Sequence, residues 1–152
     1  MTYLVLGSNS FSAGSFINYI LNNEEDAKIF AISRSKEYHD TQLSYKNNRN
    51  KNNVSFHKLD LNTQANEIAN LIQDYKIQYI INFAAQGMVA QSWDNPIEWF
   101  NTNTCSIVDL LHLIYKFDFI KKFVQVSTPE VYGPCNNIKE SMRFLPSSPY
   151  AA

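Results

Sequence analysis

The stretch Thr2-Tyr3-Leu4-Val5-Leu6-Gly7-Ser8-Asn9-Ser10-Phe11-Ser12-Ala13-Gly14 decides the fold. Its opening run of β-favouring residues predicts a strand over roughly 2–6. The next residues, Ser15-Phe16-Ile17-Asn18-Tyr19-Ile20-Leu21, space their apolar side chains as a helix does. Strand, Gly/Ser-rich turn and helix, in that order, are what a dinucleotide-binding βαβ unit requires. The turn points backbone N–H groups at the helix N-terminus, where the helix dipole favours a pyrophosphate. With Gly7 as the first small residue, the next two places in the pattern fall on Ser10 and Ala13. Ala13 suits a place that needs only close packing. Ser10 adds a side chain where a phosphate would approach, though its hydroxyl can also donate. The plain alternative is an ordinary β–α turn.

Outward from this unit the chain alternates strands and helices. A second strand, Lys28 to Ile32, ends at Ser33-Arg34-Ser35. An acidic residue stands about 20 residues past the loop in NAD-binding units and holds the ribose 2′-hydroxyl. Ser33 occupies that place, and Arg34 follows. A carboxylate there would repel a 2′-phosphate, whereas a guanidinium binds it bidentately. NADP is therefore favoured over NAD, a solvated surface charge being the alternative for Arg34. A third strand, Val54 to Leu59, ends at Asp60-Leu61, and Ile68, Leu71, Ile72 and Tyr75 make the apolar stripe of the helix after it. The fourth strand, Ile77 to Phe83, ends in the small residues Ala84-Ala85-Gln86-Gly87. Asn95-Pro96 reads as a helix cap with proline at the first position, and that helix is expected to reach about Lys116. Met88, Trp93 and Trp99 around it read as packing residues.

A fifth, buried strand is expected at Phe123-Val124-Gln125-Val126, opening directly into Ser127-Thr128-Pro129-Glu130-Val131-Tyr132-Gly133. Ligands of open α/β sheets sit outside the carboxyl ends of the strands. Two hydroxyls and a carboxylate at such an end are placed to touch a substrate; a strand followed by an Asx- or ST-type turn is the alternative. The pattern as a whole predicts a doubly wound parallel sheet with helices on both faces.

Composition narrows the class. The 152 residues are 45% hydrophobic with a net charge of −1, so they suit one globular domain and give no electrostatic footprint for nucleic acid. No apolar run approaches membrane-spanning length, and the N-terminus lacks a signal pattern. Cys105 and Cys135 are the only cysteines, without metal-ligand spacing, and read as reduced thiols of a cytoplasmic protein. The Asn-dominated stretch 47–53 reads as a polar surface loop.

Taken together, Gly7 to Ala13, Asp60-Leu61, Ala84-Ala85-Gln86, Asn95-Pro96, Thr102-Asn103, Ser127 to Gly133 and Ser147-Ser148-Pro149-Tyr150 fall in the order of a known family. The chain resembles the extended short-chain dehydrogenase/reductases, the NAD-dependent epimerase/dehydratase family. It is most like the nucleotide-sugar 4,6-dehydratases of the dTDP-glucose and GDP-mannose kinds. The resemblance implies that residues 1–152 form the N-terminal part of a Rossmann domain whose C-terminal part and substrate domain are not in this chain.

It also implies roles. Gly7, Ser10, Phe11 and Ser12 would line the pyrophosphate, and Ser33 and Arg34 the adenosine ribose. Asp60 and Leu61 would meet the adenine, while Phe83, Ala84, Ala85 and Thr102 would flank the nicotinamide half. Thr128 would bond the sugar O4, Tyr150 would take the O4 proton, and Glu130 would take the C5 proton. The activity implied is oxidation at C4, loss of water across C5–C6 and reduction at C6 of a nucleotide sugar, by a homodimeric enzyme. A nucleotide-sugar epimerase or decarboxylase of the same superfamily is the first alternative, and a non-catalytic nucleotide-binding module the second.

The chain departs from the family at two places. Pro129 stands where the dTDP-glucose branch has a proton-donating aspartic acid. The family's lysine, four positions after the tyrosine, would lie beyond Ala152. The 152 residues by themselves are therefore expected to be inactive.

Overall fold

The computed structural model describes residues 1–134 and 137–152. Five strands, β1 (Thr2–Leu6), β2 (Lys28–Ser33), β3 (Val54–Lys58), β4 (Tyr79–Asn82) and β5 (Lys122–Gln125), pair in parallel in the order β3-β2-β1-β4-β5. Leu4 stands opposite Phe30 on one side and Ile80 on the other. The chain lays β2 and β3 to one side of β1, then crosses to place β4 and β5 on the other. The winding direction therefore reverses between β1 and β4, and such a reversal opens a crevice at the carboxyl ends of the strands.

Alternation along β1 sends its side chains to two separate cores. Tyr3 and Val5 pack with Ile17, Ile20 and Leu21 of α1 (Phe11–Asn23). Leu4 and Leu6 pack on the other face with Ile68 and Ile72 of α2 (Ala65–Asp74). Ile107, Leu110 and Ile114 of α5 (Ser106–Ile114) complete that face. Two short helices, α3 (Val89–Asp94) and α4 (Pro96–Phe100), lie between β4 and α5. The expected Rossmann-like doubly wound sheet is thus present. Among the described residues, no helix is long and apolar enough to cross a membrane.

Several expectations need correction. The strand at 122–125 is not buried. It has one neighbour, β4, and leaves Val124 and Val126 each 41% exposed, while Phe123 packs against the α2/α5 core. Tyr75 lies one residue beyond α2 and is exposed, although its ring meets Phe30 at 4.5 Å. Trp99 packs as expected, 4% exposed, and its indole N–H donates to the Gly87 carbonyl at 2.9 Å. Met88 and Trp93 do not, Trp93 being 62% exposed, because α3 packs against α4 rather than against the sheet. The helix expected from Pro96 to about Lys116 is broken by a π-helical segment, Asn101–Cys105, and ends at Ile114.

The Asn-rich stretch lies at the surface but is pinned. Asn48 Nδ2 donates to Asn18 Oδ1 (2.7 Å) and Asn22 Oδ1 (2.8 Å) on α1, and Asn50 Nδ2 donates to the Leu21 carbonyl. Beside it, buried Tyr45 donates its hydroxyl to Glu37 at 2.6 Å, and burial plus that carboxylate push the phenol far above its ordinary pKa. Cys105 is a free, exposed thiol; Cys135 lies outside the described residues.

Candidate dinucleotide site

The site begins where β1 ends. Gly7 adopts φ +74°, and an added Cβ would stand 2.5 Å from the Ala84 amide nitrogen. Only glycine lets the turn pass this close to the end of β4. Ser10 then caps α1, its Oγ accepting from Ala13 N at 3.3 Å. The hydroxyl is thereby engaged with the helix, which lessens the obstruction expected of this side chain. The N–H groups of Phe11 and Ser12, in the first turn, have no intrahelical acceptor and form the donor end of the helix.

A cavity of about 270 Å³ lies at this point, over the carboxyl ends of β1 to β4. Gly7 and Ser10 border it from the first turn, Ser33 and Arg34 from β2, and Asp60 and Leu61 from the end of β3. Phe83, Ala84 and Ala85 border it from β4, and Thr102 from the π-helical segment. Sequence reasoning named all of these. Phe11 and Ser12 do not line the cavity, and Phe11 is 83% exposed.

The electrostatics follow from who is paired. Arg34 makes no ion pair or hydrogen bond among the described residues, so its charge is open to an anion. The carboxylates next along the chain are engaged elsewhere: Lys46 Nζ lies 2.9 Å from Glu37 Oε2 and 3.2 Å from Asp40 Oδ1. Asp60 Oδ1 accepts from Asn62 N at 2.9 Å. Asn62 Nδ2 donates to Thr102 Oγ1 at 3.1 Å, tying the β3 end to the π-helical segment. Such π insertions often mark functional sites. This one also presents Asn103, which accepts from Gln86 N (2.7 Å) and donates to Gln86 O (3.1 Å). A second, polar cavity of about 370 Å³ adjoins the first through Arg34, Asn62 and Thr102.

Buried Asn82 anchors the end of β4. Its Oδ1 accepts from Ala84 N at 2.9 Å and its Nδ2 donates to Gln125 Oε1 on β5 at 2.8 Å. Replacing it with Ala leaves both partners without their bond. Asn82→Ala is expected to cost about 1–3 kcal/mol in urea unfolding; an unchanged midpoint would show that this link carries no stability.

The expected catalytic residues lie at the same end of the sheet but not in the cavity. Thr128 ends the strand-to-turn passage, its Oγ1 accepting from Glu130 N at 3.3 Å, so the segment is an ST turn. Glu130 is half-buried, and its carboxylate has no partner among the described residues. Tyr150 is half-buried and held through its backbone, its N–H donating to Ser92 Oγ at 3.2 Å. Thr128, Glu130 and Tyr150 do not line the cavity.

Besides the strand-end residues Leu6, Ile32 and Leu59, four polar cavity residues were given no site role by the sequence reading: Asn9, Ser35, Tyr38 and Asn62. Asn9 sits inside the turn motif and could have been noticed there. The others are placed by loops with no periodic signal.

Sheet order, glycine turn and cavity together define a Rossmann-like domain. The chain belongs to the GDP-mannose 4,6 dehydratase family, whose model matches residues 4–152. It is 29% identical over 165 aligned residues to dTDP-glucose 4,6-dehydratase of Haemophilus influenzae, covering all of this chain and 48% of that protein. The solved dTDP-glucose 4,6-dehydratase of Bacillus anthracis, in complex with NAD, superposes with a TM-score of 0.79 at 29% identity. That match covers 99% of this chain and 46% of the other. The UDP-N-acetylglucosamine 4-epimerase of Methanobrevibacter ruminantium, in complex with UDP-N-acetylmuramic acid, is also similar, at 27% identity and TM-score 0.81. It too is covered to 46%, against 99% of this chain. The chain thus spans about half the length of these relatives.

Proposed function

We propose that residues 1–152 are the cofactor-binding part of a nucleotide-sugar 4,6-dehydratase that uses NADP in preference to NAD. The cavity over the strand ends carries this reading: a glycine turn and helix N-terminus at one side, and an unpaired Arg34 between Ser33 and Ser35 at another. The residues fit the group. The turn offers N–H donors for a pyrophosphate, and the guanidinium suits a ribose 2′-phosphate. Asp60 and Leu61 would hold the adenine, and Phe83, Ala84 and Ala85 the nicotinamide half. Thr102, bonded to Asn62 beside Asp60, would in this reading serve the adenine side rather than the nicotinamide half.

When bound, the dinucleotide would supply reversible hydride acceptance. This chain's residues would handle protons and position. Thr128 would hold the sugar O4 and Tyr150 would take its proton. A ketone at C4 makes the C5 proton acidic, and the unpaired carboxylate of Glu130 is suited to remove it. Pro129 has no proton to give, so the departing C6 hydroxyl must be protonated by another group. An epimerase is the second reading, favoured by Pro129 and by the similarity to a solved epimerase. A homodimer in the cytoplasm is proposed as well: Val108 and Leu111 of α5, with Tyr115 just past its end, leave an apolar stripe exposed, and Cys105 is a free thiol.

Titration of the native-length protein with both dinucleotides tests the cofactor assignment. Arg34→Ala is expected to weaken NADP binding about 10–100-fold, the worth of a charge-assisted pair, and to leave NAD nearly unchanged. Tighter binding of NAD than NADP by the wild type, unaffected by the substitution, would refute it.

A further inference from the structure

We propose that Asn9 is the residue that fixes cofactor discrimination, by holding in place the loop that follows Arg34. This rests on the cofactor reading above. Asn9 Nδ2 donates to Ser35 Oγ and to the Lys36 carbonyl, both at 2.9 Å. Its Oδ1 accepts from Tyr38 N at 3.2 Å. One side chain of the phosphate turn thus grips both ends of the Ser35–Tyr38 segment, which comes from β2. That segment has no helix or strand of its own, so no backbone ladder orders it. Asn9, Arg34, Ser35 and Tyr38 all line the same cavity.

The residue type fits the task. The segment offers a hydroxyl and a carbonyl as acceptors and an amide as donor, and a short carboxamide supplies the complementary donors and acceptor together. Aspartate has no donor and would set a negative charge beside the phosphates. Serine lacks the reach to serve three partners. Holding the loop before nucleotide arrives removes an ordering cost that would otherwise weaken binding. The benefit falls chiefly on a ligand that needs Arg34 in a fixed place, which means a ribose carrying a 2′-phosphate.

The test is titration of the native-length protein with NADP and NAD, on wild type, Asn9→Ala, Arg34→Ala and the double variant. Asn9→Ala is expected to weaken NADP about 10-fold and NAD by less than about threefold, so that the NADP:NAD preference narrows. In the Arg34→Ala background, Asn9→Ala should leave that ratio unchanged, because the residue acts through the arginine. Asn9→Asp, which keeps the Tyr38 bond alone, should lose NADP affinity at least as strongly. Hydrogen exchange at the Tyr38 amide should quicken in Asn9→Ala even without nucleotide. An equal fall for both dinucleotides, or no fall, overturns the inference while leaving the cofactor reading intact. A wild type that binds neither dinucleotide overturns both.

Discussion

Glu130→Gln in the native-length protein is expected to lower nucleotide-sugar turnover by about 10²–10⁴, the usual contribution of a positioned base. The substitution keeps the size of the side chain and removes its ability to accept a proton. Glu130 sits in a short 3-10 turn (Pro129–Tyr132) whose first residue is conformationally fixed by proline and whose entry is held by the Thr128 hydroxyl. Its backbone should therefore survive the change, and dinucleotide affinity should not move. The distinguishing readout is the sugar C5 position. Wild type should incorporate solvent deuterium there, and the variant should not. Full turnover with normal C5 exchange in Glu130→Gln would remove this residue from the mechanism.

Gly7→Ala is expected to destabilise the fold by about 3–5 kcal/mol, adding the strain of a left-handed backbone to that of an overpacked contact. At φ +74°, the new Cβ would lie 2.5 Å from Ala84 N and 2.7 Å from Ala84 Cα and Phe83 C. All three are backbone atoms of the β4 end and cannot swing away. Gly14 is the control. Its backbone is not left-handed, and the nearest atom to an added Cβ is Leu43 Cδ2 at 3.6 Å. Gly14→Ala in α1 should be neutral or stabilising by about 0.5–1 kcal/mol. Comparable urea midpoints for the two variants would contradict the close approach of the first turn to β4.

Both results turn on strand ends, and strand ends are where the sequence is most informative. Strands β1, β2 and β4 are buried on both faces, so they read as unbroken apolar runs that stop abruptly at polar or small residues. That pattern places Ser33-Arg34 and Ala84-Ala85 at the carboxyl end of the sheet, while Asp60-Leu61 follow the half-exposed strand β3. The position of β5 is not legible in the same way. Phe123, Val124 and Val126 have the composition of a buried strand, and only the structure shows that β5 is an edge strand with Val124 and Val126 exposed on one face. Trp93 and Trp99 illustrate the same point, since burial depends on which helix packs against what. The links through Asn9, Asn82, Asn62 and Asn103 are invisible in the sequence because they join residues far apart in the chain through single side-chain amides. No periodicity encodes such bonds. The π-helical segment is hidden within a continuous helical pattern.

The central claim is most directly tested by incubating the native-length protein with NADP and a panel of nucleotide hexoses, and weighing the product. A nucleotide sugar lighter by one water, carrying a 4-keto group, is the predicted result. A product of unchanged mass inverted at C4 would make the protein an epimerase and contradict the assignment.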